Sequence, residues 1–138
     1  MKKVVLPILL ILIPIIGFSQ KLSNQELNEI LKYASEEINK NTPFIVDEYT
    51  TLVNSLGLVI GGNGMIVYHY QIDESIFNEY DVSKSDFESY KQIELKNFYC
   101  SDPDFQLFRD NDVTGTWKYT NLLGTHIAKI TIYSSDCK

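Results

Sequence analysis

His69 and His126 are the only two histidines in a chain of 138 residues, and each falls in a stretch of alternating polarity that reads as a strand. They make no zinc site on their own. Zinc takes three or four Cys, His or carboxylate ligands at consistent spacing, and the sequence supplies no such cluster. A Ser-His-Asp arrangement can assemble from distant segments, yet no G-x-S-x-G or similar local signature is present. A hydrolytic reading therefore asks His69, His126, Asp47 and Asp110 to converge in one cleft. Asp110-Asn111-Asp112-Val113-Thr114-Gly115 places side-chain oxygens first, third and fifth with glycine sixth, like the start of a calcium loop. The twelfth place, which needs a bidentate Glu, is Asn121, so a plain turn is the better account. Gly61-Gly62-Asn63-Gly64 lacks the Lys-Ser/Thr and the following helix of a phosphate loop. This census assigns no catalytic residue, no metal and no cofactor.

Cys100 and Cys137 are the only cysteines. An even count in an oxidising compartment argues for one disulfide, and closing so long a loop stabilises a fold by roughly 3–4 kcal/mol in the chain-entropy model. The competing reading is two free thiols or a thiol nucleophile. The compartment follows from the other end of the chain. Lys2 and Lys3 precede an uncharged run from Val4 to Phe18, and Gly17-Phe18-Ser19 has the small-x-small pattern of a cleavage site. These features read as a secretory signal at residues 1–19, cut between Ser19 and Gln20. A spanning helix wants about 20 apolar residues, and this run is shorter and holds Pro7 and Pro14. One exported domain over residues 20–138 is expected, periplasmic or secreted, with no stable membrane span after processing.

The elements that position these residues are strongly marked. Ser23-Asn24-Gln25-Glu26 is a capping box with Leu22 and Leu27 as its hydrophobic staple. Leu27, Ile30, Leu31, Ala34 and Ile38 then recur at helical spacing, predicting a helix over residues 24–40. Leu52, Leu56, Leu58 and Ile60 share one parity before the glycine-rich turn, and Ile66, Tyr68, Tyr70 and Ile72 share it after, which predicts a hairpin with even-numbered residues inward. Asp73 to Tyr80 connects, with one helical turn. Ser85-Asp86-Phe87-Glu88 reads as a second capping box, opening a helix that reaches Cys100. Asp102-Pro103 starts a short helix, and a second hairpin runs from Gly115 to Ser134 about a turn at Asn121–Gly124, with His126, Ala128, Ile130 and Ile132 on its apolar parity. Helix, hairpin, helix, hairpin predicts an α+β domain: a four-stranded antiparallel sheet covered on one face by two helices. The repeated order suggests a pseudo-twofold duplication.

The 12 Lys and Arg against 18 Asp and Glu give a net charge of −6, and loss of Lys2 and Lys3 makes it more negative. An acidic protein repels phosphate backbones and anionic lipid, so no nucleic-acid partner is expected. Trp117 and Tyr119 share a strand parity and are either core or an exposed aromatic face suited to binding. Pro43-Phe44-Ile45-Val46-Asp47-Glu48-Tyr49-Thr50-Thr51-Leu52, with Cys100 and Cys137, resembles a loose group of small exported bacterial proteins sharing P-x-x-V-D-x-x-T-x-L, a middle cysteine and a C-terminal cysteine. That resemblance implies export, the disulfide and the layout, and adds no chemistry. Within it Asp47 and Thr50 are candidate binding residues, alongside Trp117 and Tyr119, or else they fix the turn between helix and strand. The expected function is a non-enzymatic, inhibitor-like or binding protein of the cell envelope whose partner is another envelope or extracellular protein. The alternatives are a hydrolase using carboxylate or histidine residues and a small-ligand carrier.

Overall fold

A computed structural model describes residues 21–138; the expected signal and its cut lie outside the described residues. The first helix, α1 (Asn24–Asn39), begins at the expected cap, with extended Ser23 accepting from the Glu26 amide at 3.1 Å. Leu27, Leu31, Ala34 and Ile38 form its buried stripe. Then follow β1 (Phe44–Ile45), β2 (Thr50–Ile60), β3 (Asn63–Ile72), α2 (Ser75–Glu79) and α3 (Lys84–Ser101). A 3₁₀ turn at Pro103–Phe105, α4 (Gln106–Asp110), β4 (Thr114–Asn121), β5 (His126–Ile132) and a last 3₁₀ turn at Ser134–Cys137 complete the chain.

The sheet corrects the four-stranded antiparallel expectation. It has five strands in the order β1-β2-β3-β4-β5, and β3 and β4 run parallel while the other neighbours are antiparallel. The added strand is β1, which pairs Phe44 with Leu52 and Ile45 with Thr51. Parallel neighbours need a long crossover, and residues 73–113 with α3 among them provide it, so β4 starts from the same end as β3. A twofold axis normal to a sheet reverses strand direction, so the parallel central pair also rules out the pseudo-twofold duplication.

Both long helices do share one face. Gly64 of β3 lies under Leu27 and Leu31 of α1. Tyr68 of β3 stands beside Trp117 of β4, and Trp117 meets Tyr99 of α3 edge-on at 6.3 Å between ring centres. The start of α3 also differs from expectation. Ser83, not Ser85, is the cap: its hydroxyl accepts from the Asp86 amide at 3.0 Å and donates to the Asp86 carboxylate at 2.7 Å. With Asp86 at the third helical position engaged in that way, Ser85 and Glu88 fall inside the first turns.

Parity holds along β3 and breaks along β2. Leu52 is buried, whereas Leu56 is 57% and Ile60 58% exposed. The register shifts between Leu52 and Asn54, and a one-residue bulge turns every later side chain to the opposite face. Beyond it Ser55 and Gly57 turn toward α1. A Cβ at Gly57 would stand 2.2 Å from the Leu31 carbonyl oxygen, so the helix backbone rests on the strand itself. Helix α1 also closes the outer edge of β2. The Asn39 side chain accepts from the Ser55 amide at 2.7 Å and donates to the Ser55 carbonyl at 2.9 Å, and Asn28 accepts from the Val59 amide at 2.9 Å. A second shift, between Tyr119 and Thr120, sets His126 opposite Thr120. His126 is therefore exposed and off the apolar face expected for it, while Ile127 joins Ala128 in the interior.

Candidate functional site

With α1 and α3 on the same side, neither long helix covers the other side of the sheet. The registers assign that open face row by row. Leu58 stands beside Met65, and Met65 beside Thr114. The next row is Leu56, Val67, Thr116 and Thr131, and the one after it Asn54, His69, Lys118 and Lys129. Leu56 is exposed, and Leu58, Met65 and Val67 are half-buried. An apolar ladder therefore crosses β2 and β3, and a pair of lysines bridges β4 and β5.

His69 has its Nε2 2.8 Å from the Thr120 hydroxyl oxygen. Burial, and secondarily the charge of Lys118, holds its pKa below the ordinary histidine value. Lys118 and Lys129 face each other across β4 and β5, are exposed, and form no ion pair with a carboxylate among the described residues. Strands β2 to β5 contain no Asp or Glu. The sheet is thus a cationic patch on an acidic molecule.

The expected site residues fall elsewhere. Trp117 and Tyr119 are only 2% and 3% exposed, so of their two readings they take the core one and form no exposed aromatic face. Trp117 stacks on Tyr68 at 5.4 Å and Tyr119 on Tyr70 at 5.2 Å. Asp47 and Thr50 sit in the β1–β2 turn. The Asp47 carboxylate accepts from the Tyr49 amide at 2.9 Å, and the Thr50 carbonyl accepts from the Val46 and Asp47 amides. Both residues therefore hold the turn, and the exposed Asp47 carboxylate is partly spent on it.

Asp110 ends α4 and accepts from Gln106 at 2.8 Å, and no hydrogen bond joins Asp47 or Asp110 to His69 or His126 among the described residues. Both carboxylates of the calcium-like turn are engaged by protein donors, Asp110 by Gln106 and Asp112 by Lys21 and Ser134. Asn111 accepts from the Leu22 amide at 2.7 Å, while Asp112 takes Lys21 at 3.2 Å and Ser134 at 2.8 Å. No group of three or more metal-ligating side chains occurs among the described residues. The room between sheet and helices, which a carrier would keep open, holds a chain of rings. Trp117, Tyr99, Phe105 and Phe108 contact one another in sequence, and Phe87 closes edge-on over Tyr119.

The sulfur pair is formed: Cys100 and Cys137 are joined, with their Cα atoms 5.2 Å apart. Sequence reasoning missed the open face. The odd-numbered run Met65, Val67, His69 and the pair Lys118, Lys129 were legible by parity alone, but Leu56 was hidden by the bulge.

No family model matches the chain, and no curated protein does. Three solved structures resemble it. A candidate secreted protein from Pseudomonas aeruginosa superposes with a TM-score of 0.68 at 18% identity, over 86% of this chain and 99% of that one. The type 2 secretion system pilotin EpsS of Vibrio vulnificus gives 0.58 at 12% identity, over 83% and 94%. The type II secretion system pilotin AspS of Vibrio cholerae gives 0.56 at 11% identity, over 83% and 94%. At such identities, what the chain shares with these proteins is its fold.

Proposed function

We propose that the chain is an exported, non-enzymatic accessory protein of the cell envelope that docks on another envelope protein through the open face of its sheet. The observation that carries this reading is the ladder of Leu56, Leu58, Met65 and Val67, left uncovered because both long helices pack on the opposite side. Apolar side chains kept in rows on a sheet are costly to hydrate, and a contiguous patch of them marks an interaction surface. The fold's occurrence in a candidate secreted protein and in two secretion-system pilotins supports an envelope setting, and the disulfide supports an oxidising one. Asp47 and Thr50, next to the same sheet, remain secondary candidates at the rim.

Site-specific photo-crosslinking in the native host tests the reading. A photoreactive residue in place of Leu56 is expected to give one discrete protein adduct in the envelope fraction. The same residue in place of Ile93, equally exposed but on α3, is expected to give none. Matching adducts from both positions, or none from Leu56, would remove the open face as the docking surface.

A further inference from the structure

Resting on that reading, we infer that the docked partner presents an acidic amphipathic helix, with its apolar stripe over β2 and β3 and its carboxylates on Lys118 and Lys129. Three observations point the same way. First, Lys118 and Lys129 are direct cross-strand partners, an arrangement in which like charges destabilise a sheet. Neither has a carboxylate partner among the described residues, so the isolated domain carries the repulsion uncompensated.

Second, the charge segregation is complete. All 18 acidic residues lie outside β2 to β5, and His69 stands between the lysine pair and Asn54 of β2. A face built this way offers anions two lysines and no carboxylate from its own strands. The chain's net charge of −6 opposes attraction to an anionic bilayer as a whole, whereas a single acidic segment meets only the local basic field. This favours protein over lipid.

Third, the spacing suits one helix. The midline of β2 and β3 is two strand spacings, about 10 Å, from the midline of β4 and β5, and a helix with its side chains is about 10–12 Å across. One helix laid on the face thus reaches the ladder with one flank and the lysines with the other. Helix-in-groove docking of this kind is read by anchors at helical spacing. Truncating or reversing one charge of such a docked pair loses binding well beyond the loss of a surface ion pair.

The test uses the disulfide-bonded domain and two synthetic helices: one with leucine along one stripe and glutamate beside it, the other with every glutamate replaced by glutamine. Amide shifts of the isotope-labelled protein and titration affinities are read, with phosphatidylglycerol vesicles as a separate arm. The glutamate helix is expected to shift Leu56, Val67, Lys118 and Lys129, and the glutamine helix to bind about tenfold more weakly or worse. Lys129→Glu is expected to lose binding about tenfold, while the melting temperature of the free variant rises by roughly 1–4 °C as the repulsion is relieved. Lys129→Gln should fall between. Equal affinity for the two helices would overturn the inference and leave the open-face function standing. Shifts confined to another surface, tighter binding to the vesicles, or a lower melting temperature for both Lys129 variants would each overturn it as well. A failed crosslink at Leu56 in cells is a separate result and would remove the function itself.

Discussion

Tyr68 and His69 are neighbours in β3 that point to opposite faces, and each has a measurable consequence. The Tyr68 hydroxyl is buried with no hydrogen-bond partner among the described residues, and burial drives its pKa far upward. An unpaired buried hydroxyl costs about 1–3 kcal/mol, while the ring itself is held by its stack on Trp117. Tyr68→Phe keeps the stack and deletes the unpaired group, so it is expected to raise unfolding stability by about 1 kcal/mol in urea titration. A loss of stability would mean that the hydroxyl has a partner. His69 responds to pH instead. Its lowered pKa means the folded state resists a proton that the unfolded chain accepts below about pH 6.5. The stability tied to the neutral ring is complete above that value and drains as pH falls through the lowered folded pKa. Wild type is therefore expected to lose more stability than His69→Gln when urea titrations at about pH 7.5 and pH 5 are compared. Equal losses would show that the ring is as well solvated folded as unfolded.

Among the elements, α1 does more than cover the core: it closes an edge. Asn39 stands in for a strand residue by bonding both the amide and the carbonyl of Ser55. Asn39→Ala removes both bonds from a part-buried pair of backbone groups, and is expected to cost about 1–2 kcal/mol. It also uncovers part of an edge that is a template for pairing with another chain. Chemical unfolding reads the first effect, and light scattering near the unfolding midpoint reads the second. Unchanged stability would mean the amide is decorative. This bracing was not legible beforehand, because nothing in the spacing of Asn28 and Asn39 says that a strand edge lies beneath them. What could be read was local: Ser23 and Glu26 marked the start of α1, and Ile66, Tyr68 and Ile72 gave the face of β3. What failed depended on relations between distant segments. Two residues, Phe44 and Ile45, are too few to show a strand period. The bulge after Leu52 flips a parity that sequence alone continues. The parallel pairing of β3 with β4 is decided by how residues 73–113 cross the sheet, and no local pattern records that. Trp117 and Tyr119 shared a parity as expected, but parity does not say which face the helices cover.

At the scale of the molecule, the first described residues, Lys21 and Leu22, and the last turn meet at one place, and the disulfide ties that turn down. Cys137 in the last turn is tied to Cys100 at the end of α3. From the same turn Ser134 donates to Asp112, which also binds Lys21, while the neighbouring Asn111 accepts from the Leu22 amide. The bridge spans 37 positions, for which loop closure contributes roughly 3–4 kcal/mol. A domain of this size has a net stability of only about 5–15 kcal/mol. Cys100→Ala with Cys137→Ala is therefore expected to remove a large share of the stability, lowering the urea midpoint and steepening the unfolding slope as the unfolded chain opens. Loss of the tie also frees the last turn, so the Leu22 amide should exchange with solvent faster than the amides of β3, well before global unfolding. If the double variant unfolded at the wild-type midpoint, the bond would contribute nothing to the folded state. If the midpoint fell but Leu22 kept its protection, the bridge would act on the unfolded chain alone, and the docking of Lys21 and Leu22 would rest on Asn111 and Asp112.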